Sequence, residues 1–265
     1  QVAGMEEAMT AARLYRLGRG YYKIRNYERA QSYLMEAVIR GSSSAVRLLY
    51  HIGYLFFCCK EYDRAEDCFQ ILADRGDARS CFYLGLMCRD GLGRRPDVAR
   101  AFDYFSEAYQ RGEPRGALQA GLLIARDAFR YEEAREAAIE WLTIAEEEGI
   151  PEAGRHIGLL LCDNLPEHNA EALKWFLKAA GKGDARSMVY ASDLYLSGVG
   201  VARNEKIALT LLYQAADRGD CKASMILGDL YASGTYVQRD STLAKQYYAR
   251  ARQVRDAGQA EKETP

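Results

Sequence analysis

The side chains of this sequence most able to hold a metal ion or act as nucleophiles are its cysteine thiols. There are seven, namely Cys58, Cys59, Cys68, Cys81, Cys88, Cys162 and Cys221. No pair has the Cys-x-x-Cys spacing that is typical of a zinc site, and an odd number argues against a full disulfide framework. We therefore expect buried, unreactive thiols, no metal site and no cofactor.

Motifs for covalent or phosphate chemistry are weak. Gly91 with Gly93, and Gly198 with Gly200, have the GxG form of a phosphate-binding loop. No Gly-Lys-Ser or Gly-Lys-Thr follows either pair and no strand is predicted before them, so we interpret both as turns. The sequence also lacks a Ser-His-Asp order and a His-Glu-x-x-His motif. We expect that the chain is not an enzyme.

One irregular, charged segment remains as an enzymatic alternative. Residues 125–133 contain Arg126, Asp127, Arg130 and Glu132. This cluster offers acids and bases but no third group that would orient them for catalysis. An unrecognised active site there is the least favoured function that we keep.

Composition and charge indicate a soluble, packed chain. Of its 265 residues, 49% are hydrophobic and 28% charged, and the formal net charge is −1. Such a charge gives no general attraction to nucleic acid or to an anionic membrane. No apolar run approaches the roughly 20 residues of a membrane span. The odd cysteine count favours the cytoplasm, while a signal peptide preceding Gln1 would make the protein periplasmic or secreted.

The elements that position these side chains are indicated by alanines that recur every 34 to 37 residues. The frame alanines, as we call them, are Ala30, Ala65, Ala101, Ala138, Ala172, Ala208 and Ala244. Seven positions later come Ala37, Leu72, Ala108, Ala145, Ala179, Ala215 and Ala251. Residues seven apart lie on one stripe of a helix, where a small side chain lets another helix approach. The spacing predicts tandem helical repeats.

Glycine, Asn and Asp mark the ends of the helix that carries each frame alanine. Six repeats have a glycine after the last turn, at Gly41, Gly76, Gly112, Gly149, Gly183 and Gly219, whereas the seventh has Arg255. Glycine readily adopts the left-handed conformation that ends many helices. Four residues before a frame alanine lie Asn26, Asp97, Asn204 and Asp240, which we predict to be N-caps.

A first helix precedes each of these second helices, and a glycine recurs inside it. The marker positions are Gly18, Gly53, Gly85, Gly121, Gly158, Ser192 and Gly228. Glycine inside a helix costs about 1 kcal/mol relative to alanine, so its recurrence predicts a close approach of two backbones. The residues one before and two after each marker, such as Leu84 and Met87, are predicted to face the core.

We predict an all-α fold, a right-handed α-solenoid of about seven helix-turn-helix repeats over residues 9–252. An extension over residues 1–8 precedes it and a polar tail over residues 253–265 follows it. The predicted repeats span about 9–41, 42–76, 77–112, 113–149, 150–183, 184–219 and 220–252. The run from Glu146 to Glu148 closes a helix, at the end where the helix dipole disfavours anions, and is predicted to be solvated.

The last three repeats have motifs that resemble a known family. Residues 172–180 read Ala-Leu-Lys-Trp-Phe-Leu-Lys-Ala-Ala, with Gly183 after them, and residues 193–201 read Asp-Leu-Tyr-Leu-Ser-Gly-Val-Gly-Val. Residues 227–231 read Leu-Gly-Asp-Leu-Tyr. The chain therefore resembles the Sel-one-like repeat (SLR) family, a relative of the tetratricopeptide repeat. The first two repeats are more similar to tetratricopeptide units.

The resemblance implies a non-enzymatic scaffold or adaptor for protein complexes, in bacteria often in signalling, secretion or host contact. A structural element that self-associates through its terminal repeats is the alternative. We expect a monomer or a weak oligomer, with another protein or peptide segment as the partner.

Stacked repeats have an extended concave surface, which in related repeats is lined by the first helices. A basic residue recurs there in five of the six later repeats. The predicted binding residues are Arg47, His51, Tyr54, Arg79, Tyr83, Arg115, Gln119, Arg126, His156, Arg186, Tyr190, Asp193, Lys222 and Asp229. Arginine pairs with carboxylates and tyrosine provides rigid apolar contact, so we expect an acidic or extended segment and no nucleic acid. Internally paired, solvated charges are the alternative interpretation.

Overall fold

A computed structural model describes residues 10–126, 132–162 and 166–263 of the chain. The chain forms two compact units, unit 1 (residues 1–120) and unit 2 (residues 121–265). Over the described ranges the regular secondary structure is entirely α-helical. Within the same ranges no helix is both long and apolar enough to cross a lipid bilayer.

Fourteen helices are present in the described residues. The first six lie in unit 1 and are α1 (Ala11–Lys23), α2 (Tyr27–Ile39), α3 (Ser43–Cys58), α4 (Tyr62–Asp74), α5 (Ala78–Asp90) and α6 (Val98–Gln110). Helix α7 (Arg115–Ala125) contains the boundary between the units. Unit 2 continues with α8 (Glu132–Glu147), α9 (Pro151–Leu161), α10 (Pro166–Gly181), α11 (Ala185–Ser197), α12 (Glu205–Asp217), α13 (Cys221–Ser233) and α14 (Ser241–Glu263).

Helix hairpins are the building blocks of both units. In unit 1, α1 packs on α2, α3 on α4 and α5 on α6, and α2 and α4 pack on the hairpin that follows each. In unit 2, α9 packs on α10, α11 on α12 and α13 on α14, with α8, α10 and α12 each packed on the next helix. The predicted all-α fold of helix-turn-helix repeats is confirmed.

The small residues of the repeat pattern lie in the core. All seven frame alanines are buried, and so is the residue that lies seven positions after each of them. The predicted core pair Leu84 and Met87 is also buried, at 2% exposure each. Leu55 and Leu160, at the equivalent positions of two other repeats, are only half-buried.

The helix ends follow the predicted caps. The side chains of Asn26, Asp97 and Asn204 each accept a hydrogen bond from a backbone N–H of the first helical turn, and Asp240 accepts from Thr242 and Leu243. The six turn glycines all have φ between 81° and 101°, the left-handed region in which a side chain would be strained. The GxG segments are turns as predicted, because Gly91 and Gly198 are left-handed C-caps of α5 and α11.

The marker glycines accept a large side chain from the partner helix of the hairpin. A Cβ added to Gly85 would lie 2.6 Å from the Phe105 ring, and one added to Gly158 would lie 2.5 Å from the Phe176 ring. Each of these rings comes four residues after a frame alanine. At Gly85 and Gly158 the close approach thus joins glycine to an aromatic ring, whereas a Cβ added to Gly121 would also lie 3.2 Å from the backbone nitrogen of Leu142, as the predicted approach of two backbones requires.

The described part of the predicted polar tail is helical, and three thiols differ from the prediction. Helix α14 continues to Glu263, through most of the segment predicted to be a polar tail, because Gln, Ala, Glu and Lys there favour helix and no proline interrupts it. The expectation of buried thiols holds for Cys68, Cys81 and Cys88 but is wrong for Cys58, Cys59 and Cys162, which are exposed.

Candidate partner-binding surfaces

The predicted binding residues lie on first helices, with one exception. Helix α3 carries Arg47, His51 and Tyr54; α5 carries Arg79 and Tyr83; α7 carries Arg115 and Gln119; α9 carries His156; α11 carries Arg186, Tyr190 and Asp193; and α13 carries Lys222 and Asp229. The exception is Arg126, which lies in a turn directly after α7 because that helix ends at Ala125.

An aromatic group in unit 1 surrounds Tyr83. This Tyr83 cluster consists of Tyr50, Tyr54, Phe57, Phe69, Phe82 and Tyr83, with ring centroids of the other five 5.2–6.2 Å from that of Tyr83. Tyr54 is 40% exposed and Phe69 is fully buried, so the cluster extends from the core to the surface. Burial and the neighbouring Tyr83 raise the pKa of Tyr50 to about 12, against the opposing effect of Arg79.

Two of the predicted unit 1 cations already have partners inside the protein. Arg115 donates two hydrogen bonds to the Glu113 carboxylate, at 2.7 and 2.9 Å, and its guanidinium lies 4.4 Å from the Phe82 ring centroid. Arg79 lies 4.2 Å from the Tyr50 ring centroid and 3.9 Å from an Asp77 oxygen. Both side chains are nevertheless half-exposed, so their part in binding stays a prediction.

Other predicted residues of unit 1 are also hydrogen-bonded. His51 Nδ1 lies 2.8 Å from the Tyr22 hydroxyl, and Gln119 accepts a hydrogen bond from Arg89. Arg47 is exposed, and the described part of the chain offers it no carboxylate within 4.0 Å. Of the unit 1 arginines in the prediction, Arg47 is thus the one that has no carboxylate of the described residues within 4.0 Å.

Unit 2 has a pocket that gathers three of the predicted residues. Its volume is about 370 Å³, and its lining consists of Arg186, Val189, Tyr190, Asp220, Cys221, Lys222 and Met225. We call it the α11/α13 pocket. Arg186 and Lys222 are both the second residue of their helices, one repeat apart, so the repetition of the chain brings the two cations to one site.

The side chains of the α11/α13 pocket differ in how firmly they are held. Tyr190 stacks on Phe176 with 5.2 Å between ring centroids, and the Lys222 ammonium lies 5.3 Å from the Tyr190 centroid. Met225 is 51% exposed. Arg186 and Lys222 are exposed, and no carboxylate of the described residues lies within 4.0 Å of either. The arrangement can receive an anionic group beside an apolar one.

The remaining predicted residues of unit 2 are less available. The Asp229 carboxylate accepts a hydrogen bond from the Tyr248 hydroxyl at 2.6 Å, while Asp193 is exposed. His156 is half-buried, and burial together with the nearby Arg155 lowers its pKa. Arg155 itself is paired with Asp184.

The prediction that the acidic run is solvated is wrong for Glu146, which is buried. Its side chain is only 1% exposed, and it accepts hydrogen bonds from the ammonium groups of Lys178, at 2.5 Å, and Lys182. Burial by itself would raise the pKa of Glu146, but the two lysines lower it below the ordinary value. Glu147 and Glu148 are exposed as predicted.

The charged cluster of the enzymatic alternative lies partly outside the described residues. Asp127 and Arg130 lie outside them, and Glu132 is ion-paired with Arg135 at 3.3 Å. Within the described ranges no three His, Cys, Asp or Glu side chains are grouped as a metal would require.

Among the residues of these sites that the sequence analysis did not predict are Met225 in the α11/α13 pocket and Tyr50 in the Tyr83 cluster. Met225 lies three residues after Lys222 and Tyr50 three residues after Arg47, which places each on the same helix face as a predicted cation. That spacing was the available signal. A large apolar residue at that position also fits a buried core face, so the spacing by itself does not distinguish the two.

Several solved structures share this fold. A Sel1 repeat protein from Oxalobacter formigenes has a TM-score of 0.67 at 26% identity, over 90% of this chain and 99% of that chain. A protective antigen of uropathogenic Escherichia coli that displays an SLR fold has a TM-score of 0.67 at 22% identity, over 96% of this chain and 58% of that chain. An immunity protein from Pseudomonas aeruginosa has a TM-score of 0.53 at 21% identity, over 74% of each chain. The last two are similar in fold alone.

Curated relatives match part of the chain. An uncharacterized protein of Neisseria meningitidis serogroup B is 27% identical over 160 residues, which are 59% of this chain and 32% of the relative. The DAP3-binding cell death enhancer 1 of Rattus norvegicus is 27% identical over 145 residues, 54% of this chain and 28% of the relative. The chain spans about a third of the length of these relatives.

The family model for the Sel1 repeat matches residues 8–41, 78–113, 166–184, 185–220 and 222–253. The first repeat, which looked more like a tetratricopeptide unit, is thus matched as a Sel1 repeat. Residues 114–165, which include the irregular segment 125–133, lie outside the matches, as do residues 42–77. Because the matches cover more than half of the sequence, the chain belongs to the Sel1 repeat family.

Proposed function

We propose that this protein is a non-enzymatic scaffold that binds a segment of a partner protein on the first helices of its repeats. Sel1 repeat proteins are generally protein-interaction scaffolds, and the chain shares their repeats and fold. The cellular setting, a bacterial signalling, secretion or host-contact complex, is a prediction from the family resemblance.

The observation that carries the proposal is the α11/α13 pocket of unit 2. It combines two exposed cations, Arg186 and Lys222, with the ring of Tyr190 and the half-exposed Met225. Aromatic, Met and Arg side chains are enriched in protein interfaces. Tyr190 is held from behind by Phe176, so little conformational entropy is lost when a partner packs against it.

The proposal is tested by identifying the partner and measuring its affinity. The immobilised chain captures proteins from its source cells, and the partner is then produced in pure form for calorimetric titration. We expect the double variant Arg186→Glu, Lys222→Glu to bind it at least about tenfold more weakly, equivalent to about 1.4 kcal/mol. The charge repulsion acts at the site itself, since both side chains are exposed.

The matched control is Lys206→Glu, which changes an exposed cation on a second helix, α12. We expect it to keep the original affinity within about twofold, because a charge outside the contact surface contributes little. Undiminished binding by a folded double variant would contradict the assignment of the binding surface. Circular dichroism establishes that each variant is folded.

A further inference from the structure

We infer that the α11/α13 pocket selects an extended peptide segment in which a carboxylate side chain lies two residues from an aliphatic one. This inference rests on the proposed function and specifies the chemistry of the partner at that site. It is argued from the charges, the apolar surface and the size of the pocket.

The charge of the pocket favours an anionic ligand group. Arg186 and Lys222 are exposed cations, and the single carboxylate in the lining is that of Asp220. Asp220 is already engaged as the N-cap of α13, where its Oδ1 accepts the backbone N–H of Ala223 at 2.8 Å. The formal charge of the lining is therefore +1, and its two cations project from neighbouring helices toward the same space. An added carboxylate would gain charge-assisted hydrogen bonds.

The apolar part of the pocket favours an aliphatic ligand group next to that anion. Met225 has half of its side chain exposed, and the flexible thioether chain of methionine adapts to ligands of different shape. Tyr190 also lines the pocket, with one ring face stacked on Phe176 and the Lys222 ammonium 5.3 Å from its ring centroid. Burying this surface favours an apolar ligand group, because apolar area is removed from water.

The size of the pocket suits two side chains. A volume of about 370 Å³ lies at the lower end of the range of ligand sites. In an extended peptide the side chains of residues i and i+2 point to the same face, about 7 Å apart. A Glu-x-Leu or Leu-x-Glu segment thus presents both required groups to one surface.

A peptide is favoured over a phosphate ligand or nucleic acid because the lining has only two cations and one acid. The whole chain has a net charge of −1, so the surrounding field gives a polyanion no further attraction. A small apolar acid has the same chemistry as the two side chains, and the experiment distinguishes it from a peptide.

The inference is tested by methyl NMR with Met225 as the reporter. The six methionines are labelled with ¹³C at the methyl group, and the Met225 signal is assigned by its loss in Met225→Leu. The probe is the acetylated and amidated peptide Leu-Ser-Glu-Ser-Leu, which contains both spacings. Two matched peptides replace its Glu by Gln or both its Leu by Gly, and hexanoate serves as the small acid.

We expect the Glu peptide to shift the Met225 methyl signal and to bind at least about tenfold more tightly than either matched peptide or hexanoate, or about 1.4 kcal/mol. In Arg186→Gln, Lys222→Gln the preference for Glu over Gln should disappear, and in Lys206→Gln it should persist. Equal binding of the Glu and Gln peptides, or no shift of Met225, overturns the inference. So does hexanoate binding as tightly as the peptide.

The two proposals fail in different experiments. If the double charge reversal weakens binding of the natural partner while the Glu and Gln peptides bind equally, the binding surface is supported and its proposed chemistry is wrong. If the natural partner binds the charge-reversal variant as tightly as the original protein, the proposed function fails at this site.

Discussion

Glu146 is a carboxylate that unit 2 buries almost completely, with two lysine ammonium groups around it. Its aliphatic part packs on α9, since a Cβ at Gly154 would lie 3.6 Å from the Glu146 Cγ. Lys182 also donates to the Glu146 backbone carbonyl at 2.9 Å. The side chain thus joins the end of α8 to the end of α10, and its charge is compensated where it is buried.

Replacing this carboxylate should destabilise the protein moderately. We expect Glu146→Ala to lower the free energy of unfolding by about 1–2 kcal/mol. The loss stays below the 3–5 kcal/mol typical of a broken buried pair, because Lys178 and Lys182 are 51% and 35% exposed and regain water. Urea unfolding measures the change. The neighbouring Glu147→Ala, at an exposed position, should stay within about 0.5 kcal/mol of the original; an equal loss in both variants would contradict the role of Glu146.

His156 should make stability depend on pH. Burial, and then Arg155, lower the pKa of His156 below the ordinary histidine value of about 6.5. Below pH 6.5 the unfolded chain therefore binds more protons at this residue than the folded chain, so stability falls as the pH falls from 6.5 through the folded pKa. The contribution is complete above pH 6.5.

The measurement is urea unfolding of the original protein and of His156→Gln at intervals between pH 7 and pH 5. We expect the variant to lose less stability over this range, because glutamine does not titrate. Glu113 and Glu146, whose pKa values are lowered from 4.5, lose their stabilising contributions only at more acidic pH. The same slope in the variant as in the original protein would count against this assignment.

At the scale of the elements, each hairpin is closed by one large side chain seated on a marker position. The seated residues come four positions after the frame alanines and include Leu34, Phe69, Phe105, Leu142, Phe176 and Tyr248. In the sixth repeat the marker is Ser192, which is buried and donates its hydroxyl hydrogen bond to the Val189 carbonyl at 2.7 Å. A marker larger than glycine is therefore tolerated where its polar group is satisfied within its own helix.

A methyl group at a marker position should be costly. In Gly85→Ala the new Cβ would lie 2.6 Å from the Phe105 ring, and relieving this overlap should lower the free energy of unfolding by about 1–3 kcal/mol. Gly20→Ala in α1 is the matched control, because nothing lies within 4 Å of its added Cβ. There we expect a gain of up to about 1 kcal/mol from helix propensity. Thermal and urea unfolding would refute the packing argument if both substitutions shifted stability in the same direction.

At the scale of the whole molecule, the question is whether the repeats act alone or associate. The net charge of −1 gives little electrostatic repulsion between copies, and α1 of unit 1 exposes Leu17, with Ile24 exposed directly after it. Self-association through terminal repeats is thus the structural alternative to a scaffold that binds other proteins.

Sedimentation velocity over a hundredfold range of concentration separates these alternatives. We expect a mass near 29.8 kDa at low concentration, with at most weak association at the top of the range. A mass that grows steadily with concentration would favour end-to-end assembly. In that case Leu17→Ser and Ile24→Ser should reduce the growth, since both side chains are exposed in the monomer.

Local chemistry and periodicity in the sequence were enough to predict the helices, their caps and the core positions. Glycine at Gly76 or Gly183 ends a helix by its own conformational freedom, and Asn26 or Asp97 begins one with its own side chain, so these features need no distant partner. The period of 34 to 37 residues likewise specifies which stripe of each helix is buried, because a stripe of small residues must meet another helix.

Only the tertiary structure decided which charges are free and which are satisfied inside the protein. Arg115 and Arg186 occupy equivalent positions in their repeats, yet Glu113 and Phe82 hold the first while the second lines a pocket with Lys222 and Met225. Glu146 and Glu147 are neighbours in sequence, yet one is buried between two lysines and the other is solvated. The reason is physical: helix periodicity determines where a side chain points, but partners such as Phe82 for Arg115 and Lys178 for Glu146 lie more than 30 positions away, and only folding brings them near.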